Sequence, residues 1–138
     1  MTRGLLIAGA DYPSIEHRGF VDLRSRVSNI MQTLGMSLVV VETDIKKLPF
    51  NWEMLHSLNL AMCLSYLSPK FVAGGFAMDN TPQQDLARHP WGNSAALCKT
   101  MSLGYFPITP LVGELDRVEK IAAIAERDPA LLRQLSVC

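Results

Sequence analysis

In the segment Arg88–Ser102 (RHPWGNSAALCKTMS), Trp91, Gly92, Asn93, Ser94, Lys99 and Ser102 stand close together behind an Asn-Thr-Pro turn. Trp91 and Gly92 suit a substrate floor with aromatic packing against a ligand, although the same tryptophan would serve as a loop anchor in the core. Asn93, Ser94, Lys99 and Ser102 offer donors to a carboxylate or phosphate, with Lys99 supplying the charge. A solvated loop is the plain alternative.

Three further stretches place acceptors beside small residues: GADYP (Gly9, Ala10, Asp11), VETD, and AGGFAMD (Gly74, Gly75). Each follows an apolar run, as a ligand-facing rim at the ends of strands would, and turn chemistry alone also puts Gly and Asp there. His56 lies within an apolar run and reads as a hydrogen-bonded core histidine before it reads as a base. Cys63, Cys98 and Cys138 are scattered and form no Cys-x-x-Cys pair, so a zinc site within this chain is not expected and a reducing cytoplasm is. Cys98, without a sequence-near histidine, reads as an inert buried thiol.

The elements that must position these residues follow from periodicity. Gly4–Ala10 is a buried strand, and the helically spaced Phe20, Leu23, Val27, Ile30, Met31 and Leu34 form an amphipathic helix that Gly35 stops. Met36–Thr43 reads as a strand covered on both faces. Trp52–Leu67 is apolar around its circumference, which predicts a deeply buried helix. Lys70–Phe76 reads as a strand ending in a glycine pair, followed by the extended YFPITPL. A helix begins near Asp116, where Asp116 and Glu119 make an acidic capping box, and another restarts with Pro129 at its first position. Strand, helix, strand, helix, strand predicts a parallel α/β fold with right-handed crossovers.

Composition narrows the function classes. The 138 residues fit one domain, 1–138, and 49% apolar against 19% charged residues favours a chain that hides apolar surface against another, in an oligomer. Zero formal net charge without a Lys/Arg run argues against nucleic acid or an anionic membrane as partner. Membrane-spanning runs and a signal-peptide pattern are not seen, and the scattered cysteines lead to the expectation of a cytoplasmic chain.

Taken in order, LIAGADYP, VSNIMQTLGMSLVVVETD, WEMLHSLNLAMCLSYL, HPWGNSAALCKTMS and RVEKIAAIAE with LLRQLSVC resemble segments of the N-type ATP pyrophosphatase (PP-loop) family, near the queuosine-precursor nitrile synthases. The resemblance covers nearly the whole chain. It implies a Rossmann-like (HUP-type) parallel sheet with helices on both faces, and chemistry in which ATP activates a carboxylate or amide-like oxygen as an adenylate. It also implies adenosine-side contacts at Gly9, Ala10 and Asp11, a rim at Gly74 and Gly75, and phosphate neighbours at Arg117 and Lys120. Without it, Arg117 and Lys120 read as a charged solvent face.

The departures are as informative. The family's Ser-Gly-Gly-x-Asp-Ser loop, whose backbone N–H groups cradle pyrophosphate, has no counterpart here, and neither has its Cys-rich tail. The pattern Thr-Asn stands as Thr43-Asp44, His-Gly as His56-Ser57, and Trp-Gly-Ser-His-Pro as Trp91-Gly92-Asn93-Ser94-Ala95. The implied strand order is 3-2-1-4-5 with the central, loop-bearing strand missing. Either another polypeptide inserts that strand, or its two neighbours pair directly. ATP with Mg²⁺ is then expected only when a protein partner supplies the phosphate loop, the ligand set being completed by a small-molecule substrate. A homo-oligomeric, non-catalytic scaffold relative is the alternative, and a piece of a longer enzyme a third.

Overall fold

Runs of Leu, Ile and Val alternating with amphipathic helices give a mixed α/β chain whose strands pair in parallel. The computed structural model describes residues 2–49, 51–87 and 94–135, without the side chains of 53 and 54. Four strands and six α-helices lie among the described residues, and the chain parts into two compact units, Met1–Phe50 with Ile124–Cys138, and Asn51–Ala123.

In the first unit, β1 (Arg3–Ala8) and β2 (Ser37–Glu42) pair in parallel, Arg3 opposite Ser37 and Ala8 opposite Glu42. The crossover between them is α1 (Arg18–Thr33), whose Phe20 is fully buried, a contribution of about 1.5–3 kcal/mol. Gly4 brings α1 close to the sheet, since a Cβ there would lie 2.7 Å from Met31 Sδ. α1 begins two residues before the first apolar position because His17 caps it, its Nδ1 accepting from Gly19 N–H at 3.2 Å. Its end follows the expectation: Gly35 has φ +66°, Gly35 N–H donates to Gln32 O, and Met36 N–H reaches back to Met31 O at 2.8 Å. That pairing is a Schellman stop, which needs the left-handed backbone that glycine adopts freely. A 3-10 turn (Ile45–Lys47) follows β2. α6 (Pro129–Leu132) starts as expected, with Pro129 in its first turn and Asp128 Oδ1 accepting from Ala130 N–H at 3.0 Å.

The second unit contains α2 (Trp52–Tyr66), β3 (Gly74–Ala77), α3 (Pro82–Ala87), α4 (Ala95–Met101), β4 (Ile108–Leu111) and the start of α5 (Arg117–Arg127). β3 and β4 are parallel, with Gly74 opposite Ile108. Ala61, Met78, Cys98, Phe106 and Ile108 form its core, with Leu64, Phe71, Phe76, Ala95 and Met101 packed around them. The acidic capping box forms in full: Asp116 N–H donates to Glu119 Oε2 and Glu119 N–H to Asp116 Oδ1, both at 2.8 Å.

The parallel α/β character holds in pairs: among the described residues β1 pairs with β2 and β3 with β4, in two two-stranded sheets rather than one Rossmann-like sheet. Three expectations are revised. β3 starts at Gly74 rather than Lys70, because α2 unwinds through a turn in which Lys70 and Phe71 N–H both donate to Leu67 O. The glycine pair therefore opens the strand instead of closing it. α2 is not buried throughout. It buries Ser57, Asn59, Ala61 and Cys63, but leaves Leu58, Met62 and Tyr66 45%, 53% and 79% exposed along one stripe. An all-round apolar helix signals two covered faces, and this fold covers one. Finally, the Asn-Thr-Pro turn is a helix start. Thr81 N–H donates to Gln84 Oε1 and Gln84 N–H to Thr81 Oγ1, a capping box with Pro82 at the first position of α3.

Candidate functional site

β1 and β2 run in the same direction, so their carboxyl ends lie side by side, and an open cleft of about 320 Å³ forms beyond them. The β1 side contributes Gly9, Ala10, Asp11 and Pro13; the β2 side contributes Thr43, Asp44, Lys46 and Lys47. This is where ligands settle in parallel α/β sheets.

The floor of the cleft is tightly built. Thr43 N–H extends the ladder to Ala8 O at 3.0 Å, which brings the Thr43 carbonyl against Gly9. Gly9 has φ +94°, and a Cβ there would overlap that carbonyl oxygen. Its N–H turns to Tyr12 O at 2.6 Å, closing the loop after β1. Tyr12 itself does not line the cleft. Its ring lies over Gly19 at the start of α1 and stacks on His17, with centroids 5.4 Å apart. On the β2 side, Thr43 Oγ1 accepts from Ile45 N–H at 3.2 Å and orients the 3-10 turn, from which Lys46 Nζ reaches Ala10 O at 3.0 Å.

The resulting surface carries two carboxylates, Asp11 and Asp44, and two ammonium groups, Lys46 and Lys47, around the buried Gly9 and Ala10. Such a set can accept hydrogen bonds from ligand hydroxyl or amino groups and place positive charge beside an anion. The VETD rim of the sequence already holds Thr43 and Asp44, whereas Lys46 and Lys47 carry no sequence signal. Ala10 and Lys46 stand 36 positions apart in sequence, and the β1–β2 register brings them together.

Gly74, Gly75, Arg117 and Lys120 all belong to the second unit: the glycines open β3, and the two cations contact Met78 and Asp79, just after its end. A Cβ on Gly74 would meet Phe106 Cε1 at 3.2 Å, and one on Gly75 would meet Leu111 Cδ1 at 2.6 Å. Lys120 Nζ donates to Met78 O at 2.6 Å, and Arg117 pairs with Asp79 at 3.4 Å. The second contact is exposed and contributes about 0–1 kcal/mol.

Of the opening segment, Trp91, Gly92 and Asn93 lie outside the described residues. Ser94 caps α4, its Oγ accepting from Leu97 N–H at 3.4 Å. Ser102 ties the end of α4 to β4: its Oγ accepts from Ile108 N–H at 2.8 Å and lies 2.9 Å from Cys98 O, to which it donates. Lys99 is exposed in the last turn of α4, where a cation is favoured by the helix dipole. His56 is half-buried on α2.

Cys98 is completely buried in the second core, and burial pushes its thiol above the ordinary value. The unfolded chain ionises this thiol first, so its contribution to stability is intact below the ordinary thiol range and is lost as pH rises toward the folded value. Cys98→Ala is expected to reduce the alkaline slope of stability by up to about 1.4 kcal/mol per pH unit, read as urea midpoints from neutral pH to about pH 10. An unchanged slope would mean that the thiol ionises within the fold.

Among the described residues, no cluster of three or more His, Cys, Asp or Glu is placed to hold a metal ion, and no helix is long and apolar enough to cross a membrane. Compared with family models, with curated proteins and with solved structures, the chain matches none.

Proposed function

We propose that this chain is one half of a split, ATP-dependent adenylating enzyme of the PP-loop kind, whose partner chain carries the pyrophosphate loop. The pairing of its strands carries the proposal. A sheet ordered 3-2-1-4-5 that lacks its first strand would break into the pairs 3-2 and 4-5, and the parallel pairs β1–β2 and β3–β4 follow that pattern. The cleft beyond β1 and β2 supports it further, because it gathers Gly9, Ala10 and Asp11, the adenosine-side positions of the resembled family.

In this reading Asp11 and Asp44 accept hydrogen bonds from the nucleoside, and Lys46 and Lys47 bias the cleft toward its phosphates. The nucleotide, carried with Mg²⁺, supplies the electrophilic α-phosphorus. The substrate oxygen bonds to that phosphorus as the bond to the leaving pyrophosphate breaks, giving an adenylate and pyrophosphate. Trp91, Gly92 and Asn93 are proposed for the substrate side. A non-catalytic scaffold is the second reading, favoured by the use of Ser94, Ser102, Arg117 and Lys120 in contacts within the fold.

Calorimetric titration with Mg·ATP tests the proposal, on the chain alone and on its complex with a loop-bearing partner. The expected result is no heat from the chain alone, and micromolar binding with pyrophosphate release from the complex. A complex that neither binds the nucleotide nor releases pyrophosphate leaves the scaffold.

A further inference from the structure

Among the described residues the β1 strand has one bonded edge and one open edge, and the register says which groups lie on each. Thr43 N–H donates to Ala8 O, and Ala8 lies opposite Glu42, so Ala8, Leu6 and Gly4 direct their backbone groups at β2. Leu5 and Ile7 therefore turn their N–H and C=O groups the other way. Neither makes a backbone hydrogen bond to another described residue on that side.

This edge lacks the usual defences. From Gly4 to Ala8 there is no charge, no proline and no bulge, whereas β2 ends on the charged, exposed Glu42. The strands themselves ask for more cover than they have. Leu5, Leu6, Ile7 and Val39–Val41 are an apolar run typical of a sheet enclosed on both faces, yet all six remain partly exposed, and Ala8 alone of the paired residues is buried. A two-stranded sheet without further strands is also marginal in water.

From this we infer that the open edge of β1 is a docking site for one parallel strand of a different polypeptide, bonded through Leu5 and Ile7. A second copy of this chain fits less well. Two β1 edges related by a two-fold axis pair antiparallel, making a mixed sheet and sending the two Gly9–Asp11 clefts to opposite ends. A parallel strand from another chain instead continues the existing sheet and ends beside Gly9 and Ala10. The partner segment is thus apolar and uncharged, about as long as β1, and followed by a turn whose N–H groups meet the cleft. The nature of that turn rests on the proposed function; the strand site does not.

Hydrogen exchange by NMR on the full chain tests the site, with and without a synthetic peptide of six apolar strand residues followed by Ser-Gly-Gly-Ala-Asp-Ser. Alone, the amides of Leu5 and Ile7 are expected to exchange fast while those of Leu6 and Ala8 are protected. With the peptide, Leu5 and Ile7 slow by roughly tenfold or more. Leu5→Pro removes an outward N–H and spares the β1–β2 ladder, so it should abolish this effect while the circular dichroism spectrum persists. If that variant fails to fold, the exchange pattern of the unmodified chain still decides. Leu5 and Ile7 already protected in the chain alone, protection that grows with chain concentration, or no slowing with peptide would each overturn the inference; the second outcome would indicate self-association. Peptide-induced protection without Mg·ATP binding by the complex would keep the strand site and remove the enzyme.

Discussion

Gly9→Ala is expected to destabilise the chain by about 3 kcal/mol or more, several times the loss from Gly35→Ala. Both glycines have positive φ, +94° and +66°, so both substitutions carry a backbone penalty of about 1 kcal/mol. They differ in what the new methyl group meets. At Gly35 nothing lies within 4 Å; at Gly9 the methyl overlaps the Thr43 carbonyl, which is fixed by the neighbouring ladder bond to Ala8. A backbone oxygen in a strand cannot swing aside as a side-chain terminus can. Relief requires parting the ends of β1 and β2 or losing the Gly9–Tyr12 bond, and either opens the cleft. Urea unfolding of the two variants gives the comparison, with a fall in thermal midpoint of about 10 °C expected for Gly9→Ala. Equal, mild losses would show that Gly9 is not pinned against Thr43 and that the cleft floor is built differently.

The same contrast explains what could be read from the sequence. Local signals were legible wherever one residue type had one conformational use. Gly35 stops α1, Asp116 and Glu119 start α5, and Pro129 opens α6. Thr81–Gln84 carries an equally clear helix signal, but Pro82 beside Thr81 suits a turn as well, so the segment alone does not decide between the two. Properties that depend on a neighbour were not legible. The apolar circumference of α2 encodes two covers, and sequence alone cannot say that Leu58, Met62 and Tyr66 lack theirs. A serine donor looks the same whether its partner is a ligand or, as for Ser102, the N–H of Ile108. Most of the cleft is legible as two strand ends, Gly9, Ala10 and Asp11 in GADYP and Thr43 and Asp44 in VETD. That these two ends meet, and that Lys46 and Lys47 join them, depends on the β1–β2 register.

In the second unit the largest expected loss is that of Phe106→Ala, about 3–5 kcal/mol, and its coupling to Gly74 bears on function. Phe106 is 1% exposed at the centre of its core, so truncation removes both its transfer free energy and its contacts. Its ring edge is also the nearest neighbour of the hydrogen face of Gly74, with Leu64 Cδ1 close behind, at 3.2 and 3.3 Å from where a Cβ would stand. Gly74→Ala in the unaltered chain should therefore squeeze the ring and offset what a strand gains on replacing glycine. Once Phe106 is alanine, the added methyl enters the vacated space and becomes favourable. A double-mutant cycle in urea should then show a compensating coupling of at least about 0.5 kcal/mol. That outcome makes Gly74 a packing residue, kept small to let Phe106 lie under β3. Strict additivity would remove the packing explanation. The small residue at the start of β3 would then be best explained by close approach of something from outside the core, as the nucleotide reading of Gly74 and Gly75 requires.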